Sequence, residues 1–260
     1  MPYATNDGVS IYYEREGSGP PIVLVIGLSM SLQDWRDFGV VGALRDKYEL
    51  ILVDPRGHGA SDKPHNPGAY RFDKQAADIV AVLDHAGIER AVFWGYSLGG
   101  HIGFAAATYM PERFRAFIIG GSRPEARDPE PLHKWAESLR NTGIEEFADG
   151  FERHMAAVAP ELRGPMRERK LTNDLEALAA VVIATGDAPS FSESLSELSV
   201  PMLLFAGDQD QPSHDSSQRA AAENPGVTFV SLPNFTHFQA GLPSDAIMPR
   251  IKEYLAAVTA

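Results

Sequence analysis

Residues 95–100 read G-Y-S-L-G-G, between an apolar run at 91–94 and a helix-like stretch at 98–109. A serine held on a strand-to-helix turn needs small neighbours two positions before and after, because the turn brings the backbone close to itself. Gly95 and Gly99 meet that need, and Ser97 is the expected nucleophile. A serine hydroxyl attacks a carbonyl only when a base takes its proton and an acid orients that base. On such a scaffold the chain order is serine, then a carboxylate, then histidine. Four histidines follow at a distance: His133, His154, His214 and His237. His237, in N-F-T-H-F between the last strand-like run and the last helix, is the expected base; His214 opens a helix and is the second choice. The acid should come from G-D-Q-D-Q-P at 207–212. Gly207 and Asp208 suit the turn itself, which is a common use of aspartate, so Asp210 is preferred over Asp208.

A tetrahedral intermediate also needs donors for its oxyanion, and backbone N–H groups suffice. Leu98 offers one at the positive end of a helix. Leu28 offers the other in I-G-L-S at 26–29, where Gly27 lets the loop turn. Trp35, Phe235 and Phe238 lie close to these loops in sequence and are the expected substrate contacts. Trp135, Phe147, Phe151 and Met155 recur at helical spacing and read as packing residues. The chemistry needs no metal and no organic cofactor.

These side chains need a scaffold. Short apolar runs at 22–26, 50–53, 91–95, 117–120, 202–206 and 227–231 are bounded by turn residues and read as strands buried on both faces. Helical patterns at 33–45, 74–85, 98–109, 213–223 and 245–257 alternate with them. That alternation predicts an α/β fold with a mostly parallel central sheet flanked by helices. The alternating segment 9–14 adds an antiparallel edge strand. Between 122 and 199 only helical patterns occur, at 132–140, 144–157 and 175–184. This stretch reads as a helical cap insertion in a core of residues 1–121 and 200–260, and it would roof a site beyond the carboxyl ends of the strands.

The chain has 260 residues, 44% of them hydrophobic and 22% charged, with a formal charge of −12. The negative field disfavours nucleic acid and anionic bilayers as partners. The absence of cysteine excludes disulfides, thiolate metal sites and a cysteine nucleophile. The polar first residues and the lack of a long apolar run give no sign of a secretory signal or a membrane span, so a cytoplasmic location is expected.

Five blocks in order carry a resemblance: I-G-L-S at 26–29 with Trp35 beyond it, D-P-R-G-H-G-A-S at 54–61, G-Y-S-L-G-G at 95–100, G-D-Q-D at 207–210 and the late His237. With them the chain resembles the α/β-hydrolase superfamily over nearly its whole length. The resemblance implies that Arg56 and His58 buttress the fold rather than catalyse. It also implies a small-molecule ester or lactone as substrate, cleaved through an acyl-enzyme. Carbon–carbon bond hydrolysis, perhydrolysis and a ligand receptor with vestigial turnover are alternatives within the same family. Haloalkane dehalogenases and epoxide hydrolases look similar but place aspartate where Ser97 stands. One departure concerns the oxyanion loop, which usually begins His-Gly; here Ile26 takes the place of that histidine.

Overall fold

The computed structural model describes residues 2–260, the side chains of His154 and Ala157 excepted. Eight strands form one sheet: β1 (Tyr3–Asn6), β2 (Val9–Gly17), β3 (Pro21–Val25), β4 (Glu49–Val53), β5 (Ala91–Tyr96), β6 (Phe114–Gly120), β7 (Met202–Gly207) and β8 (Val227–Leu232). Their order across the sheet is β1-β2-β4-β3-β5-β6-β7-β8. The pairs β1–β2 and β2–β4 are antiparallel, and from β4 to β8 across the sheet all pairs are parallel. β1, which pairs with β2, has no counterpart among the runs read from the sequence.

Side chains of one strand alternate between two separate cores, as the period of two demands. Val23, Val25, Ile51, Val53 and Phe93 enter one core. Ile22, Leu24, Leu50, Leu52 and Trp94 enter the other. The first is closed by α3 (Phe72–His85) and α4 (Leu98–Tyr109), and the second by α1 (Leu32–Asp37), α2 (Val40–Leu44) and α12 (Met248–Thr259). One helix expected at 33–45 is two, because Gly39 adopts φ 84°, a left-handed value that ends the helical path.

Five helices separate β6 from β7: α5 (Pro129–Asn141), α6 (Ile144–Val158), α7 (Arg163–Lys170), α8 (Leu175–Gly186) and α9 (Ser192–Ser196). α5 and α8 pack through Ala136, Leu139, Leu178 and Val182. α7 and α9 carry no strong apolar period and have no counterpart among the helical patterns at 132–140, 144–157 and 175–184. After β7 comes α10 (Gln211–Glu223), and after β8 the short α11 (His237–Ala240). Among the described residues no helix is long and apolar enough to cross a membrane.

The segment 54–61 is structural in its contacts. Arg56 is fully buried and grips Asp78 with two nitrogens, at 2.6 and 2.5 Å. Asp54 accepts the Leu32 and Ala60 N–H groups, which ties the start of α1 to the end of β4. His58 is fully buried, and its Nδ1–H donates to the Arg56 carbonyl at 3.1 Å.

Candidate active site

Ser97 sits between β5 and α4 with φ 55° and ψ −110°, a conformation costly for any residue with a side chain. It persists because the surroundings leave no alternative. Its N–H donates to the Gly120 carbonyl at 2.9 Å. A Cβ on Gly95 would stand 2.2 Å from the Gly99 oxygen, and one on Gly99 only 2.0 Å from the Val25 oxygen. The two glycines are there because the turn has no room for a methyl group.

β7 and β8 deliver the other two groups. After β7, a turn closed by the Asp210 N–H on the Gly207 carbonyl leads to Asp210 at the start of α10. After β8, Thr236 caps α11, and His237 is the first residue of that helix. The loops are pressed together, since a Cβ on Gly207 would lie 2.0 Å from the Phe235 oxygen. His237 Nδ1 is 2.6 Å from Asp210 Oδ2, and its Nε2 is 3.1 Å from Ser97 Oγ. Partner chemistry sets the tautomer: Nδ1–H donates to the carboxylate, and Nε2 accepts the serine O–H. Burial pushes the Asp210 pKa up. Hydrogen bonds from His237 and Ser213, with the charges of His237 and Arg127, outweigh that and hold it below the ordinary aspartate value.

The alternatives lie elsewhere. Asp208 Oδ1 accepts the Asn234 N–H at 2.8 Å, which makes it a turn former. His214 Nε2 bonds Ser231 at 2.8 Å, and His133 Nε2 bonds Asp187 at 2.9 Å on the surface. Of His154 the side chain lies outside the described residues.

Loop 26–29 rests against the serine: a Cβ on Gly27 would be 3.3 Å from that of Ser97. Among the described residues the N–H groups of Leu28 and Leu98 have no acceptor within the chain, so both remain able to donate to a ligand.

Ser97 and His237 open onto a cavity of about 310 Å³. Ile26, Leu28, Met30 and Phe238 line one side, and Trp135, Leu139, Phe147, Phe151, Met155 and Leu178 from the helices between β6 and β7 line the other. Among the described residues no Lys, Arg, Asp or Glu side chain lines it. Arg123, Arg127, Arg140 and Arg153, which could have met an anionic lactone, all lie outside its wall.

Two expected substrate contacts sit elsewhere. Trp35 is buried and packs edge-on against Trp94, with ring centroids 5.3 Å apart. Phe235 packs against the core that holds Tyr96 and Phe205. Neither lines the cavity; Trp35 takes the inward face of α1, and Phe235, half-buried in the loop between β8 and α11, leans on the same core. The residues read as packing, Trp135, Phe147, Phe151 and Met155, line it instead, since a helical stripe does not say which surface it faces. Ile26, the departure from His-Gly, makes that side of the wall apolar.

Sequence reasoning also missed Tyr96. Its hydroxyl donates to the His237 carbonyl, and its ring lies 5.5 Å from the imidazole. Gly121, at φ 56°, leaves space for both: a Cβ there would be 2.6 Å from the tyrosine ring and 3.1 Å from His237 Cε1. The signal was available in the position of Tyr96, one residue before Ser97.

A parallel sheet with a strained serine after its central strand, and a carboxylate and histidine after later ones, defines a class of hydrolases. The comparisons agree. The alpha/beta hydrolase fold family matches residues 20–193, more than half of the chain. 3-oxoadipate enol-lactonase 2 of Acinetobacter baylyi is 30% identical over 213 residues, 79% of this chain and 78% of its own. The bifunctional esterase/perhydrolase DCH of Acinetobacter calcoaceticus is 25% identical over 98% of both chains. A thermophilic esterase of Thermogutta terrifontis superposes with a TM-score of 0.85 at 24% identity, over 100% of this chain and 98% of its own. The chain belongs to the α/β-hydrolase fold family and is a hydrolase.

Proposed function

We propose that the chain hydrolyses uncharged carboxylic esters with an apolar acyl group, through a Ser97 acyl-enzyme. The single observation that carries this reading is the hydrogen-bonded line Asp210–His237–Ser97 ending in an apolar cavity. Ser97 Oγ attacks the ester carbonyl as its proton passes to His237 Nε2, and the charge that develops on His237 is stabilised by Asp210. The carbonyl oxygen becomes an oxyanion held by the N–H groups of Leu28 and Leu98. The tetrahedral species collapses, the alcohol leaves with the proton from Nε2, and the acyl group stays on Ser97. Water then attacks the acyl-enzyme with His237 as base, and the carboxylic acid departs. No step calls for a metal or organic cofactor.

The cavity limits the substrate. Its volume of about 310 Å³ lies at the small end of the roughly 300–1,000 Å³ usual for small-molecule sites. An acyl chain of about four to eight carbons fits that space. A charged acyl group would be desolvated against an apolar wall with nothing to pair it.

A second reading, a lactonase, draws on the 30% identity to the enol-lactonase. A lactone is an ester closed on itself, and the same attack opens it. The apolar wall confines that reading to uncharged lactones.

The test is a series of p-nitrophenyl esters from acetate to decanoate, with the mono-ester of a dicarboxylic acid and an uncharged lactone beside it. We expect kcat/KM to peak in the middle of the series, to collapse for the charged ester, and to vanish in Ser97→Ala. Turnover that survives Ser97→Ala, or a preference for the charged ester, overturns the reading.

A further inference from the structure

Lys170, the last residue of α7, is almost wholly buried, with 1% of its surface exposed. Its Nζ donates to the carbonyl of Ser29 at 2.6 Å and stands 4.1 Å from the centroid of the Phe151 ring. Asn173, three residues on, donates to the same carbonyl at 3.1 Å. Ser29 ends I-G-L-S, the loop that supplies the Leu28 N–H. Two groups from the helical segment thus converge on one oxygen of that loop.

The oxygen they hold belongs to a strained residue. Ser29 has φ 64°, in the left-handed region that disfavours any side chain. The Met30 N–H donates to the Gly27 carbonyl at 3.2 Å, so residues 27–30 form a turn with a positive φ at its third position. That is a type II turn, and glycine is the usual occupant of the third position. Serine there relaxes unless something holds it, and relaxing it rotates the Leu28–Ser29 peptide beside the Leu28 N–H.

An ammonium is an expensive choice for a purely structural contact. Burial pulls Lys170 down to about 8, against the nearby charge of Asp34, which raises it, while Arg169 lowers it. Asp34 is already engaged by Arg169 and by the Ser31 N–H. A methionine would pack against Phe151 without the desolvation cost. A charged donor makes a stronger hydrogen bond to a carbonyl than a neutral one does, and such strength suits a backbone that must be kept out of its relaxed state.

We infer that Lys170, with Asn173, is a positioning residue for the oxyanion hole: it clamps the Ser29 carbonyl and so fixes the turn that presents the Leu28 N–H. The inference rests on the ester-hydrolase reading, in which that N–H meets the oxyanion. The clamp also joins the roof of the cavity to its floor, since Phe151, against which the ammonium lies, is part of the cavity wall.

The test compares Lys170→Met, Lys170→Arg and Asn173→Ala with the parent. It uses p-nitrophenyl butyrate and an alkyl trifluoromethyl ketone, which Ser97 converts into a tetrahedral adduct bearing an oxyanion. Deleting a donor of an oxyanion hole outright costs about 10²–10³ in kcat, and loosening one should cost about tenfold or more. Lys170→Met should therefore lose at least about tenfold in kcat with KM within about threefold. Its inhibition constant for the ketone should rise by the same factor as kcat/KM falls. Lys170→Arg should recover part of both, and Asn173→Ala should show a smaller loss of the same kind. Unchanged kcat in Lys170→Met, or a kcat loss without weaker ketone binding, overturns the inference; so does an effect confined to KM. Circular dichroism and Tm report whether each variant folds. If Lys170→Met does not fold, Asn173→Ala decides by the same two readouts. Failure of the underlying reading is separate and visible without any Lys170 variant, as p-nitrophenyl butyrate turnover that survives Ser97→Ala.

Discussion

Asp210→Asn is the most informative single substitution, because its neighbour Asp208 provides a built-in comparison. In the parent, Asp210 Oδ2 accepts His237 Nδ1–H at 2.6 Å, which leaves Nε2 as the acceptor facing Ser97 Oγ at 3.1 Å. The carboxylate offers two acceptor oxygens and the amide only one, so in the variant an NH₂ group that takes the place of Oδ2 faces Nδ1. Two donors cannot share that contact. The imidazole then moves its proton to Nε2 and points a donor at the serine, which leaves Ser97 without a base. A wrong tautomer of this kind costs roughly 10⁴-fold in kcat, equivalent to about 5.5 kcal/mol of barrier at ~1.4 kcal/mol per decade. Asp208→Asn keeps an amide oxygen for the Asn234 N–H and should change kcat by less than about threefold. The assay is steady-state hydrolysis of p-nitrophenyl butyrate at neutral pH, with functional sites counted by an alkyl fluorophosphonate and Tm recorded for each variant. A loss below tenfold in Asp210→Asn, or a larger loss in Asp208→Asn, would refute the assignment of the acid.

Ser97→Ala and His237→Ala should each lower kcat at least roughly 10⁴-fold, with the double variant little worse than either, because the two act as one unit; multiplicative losses in the same assay would contradict that. Leu178→Ala removes part of the cavity roof and should move the preferred acyl chain about two carbons longer, read as the peak of kcat/KM across the ester series. His58 is buried and neutral, with its pKa lowered by burial from 6.5 to about 4. The unfolded chain binds that proton first, so the stability His58 contributes is fully present above about pH 6.5 and is lost as pH falls through about 4. From pH 7 to 5 the loss is about 2 kcal/mol, or roughly 5 °C in Tm for a chain of this size. His58→Asn keeps a donor for the Arg56 carbonyl and should flatten the fall of Tm between pH 7 and 5 by about that amount. Parallel Tm-against-pH curves for parent and variant would show that His58 is not the group concerned.

Much of this molecule was legible because backbone demands leave direct marks in sequence. Continuous apolar runs placed six of the eight strands, since a parallel strand covered on both faces has no polar side to show. The spacing Gly95–Ser97–Gly99 marked the strained turn, since a methyl group at either glycine would collide with backbone oxygen. Chain order pointed to the loops after β7 and β8 for a carboxylate and a histidine, and the turn role of Asp208 favoured Asp210 over it. The element ends were less legible. Gly39 split one expected helix, and α7, with R-G-P-M-R-E-R-K for its sequence, has too few apolar residues to show a period.

Residue types and their spacing along the chain determined the fold family, the candidates for the reacting groups and the kind of sheet that carries them. They could not determine which side chains meet across long separations in sequence. Trp35 and Phe235 lie beside site loops in sequence yet turn into the core, while Phe151 and Leu178 lie far from Ser97 in sequence and face the same cavity. In the sequence Lys170 is one more cation in R-G-P-M-R-E-R-K, and only the packing of α7 on loop 26–29, 141 residues earlier, gives its ammonium the Ser29 carbonyl. The physical reason is that periodicity reports whether a residue faces inward, whereas the partner it meets there depends on how separate elements dock. Local geometry is written in neighbouring residues; the cavity and its clamp exist only once distant segments share one volume.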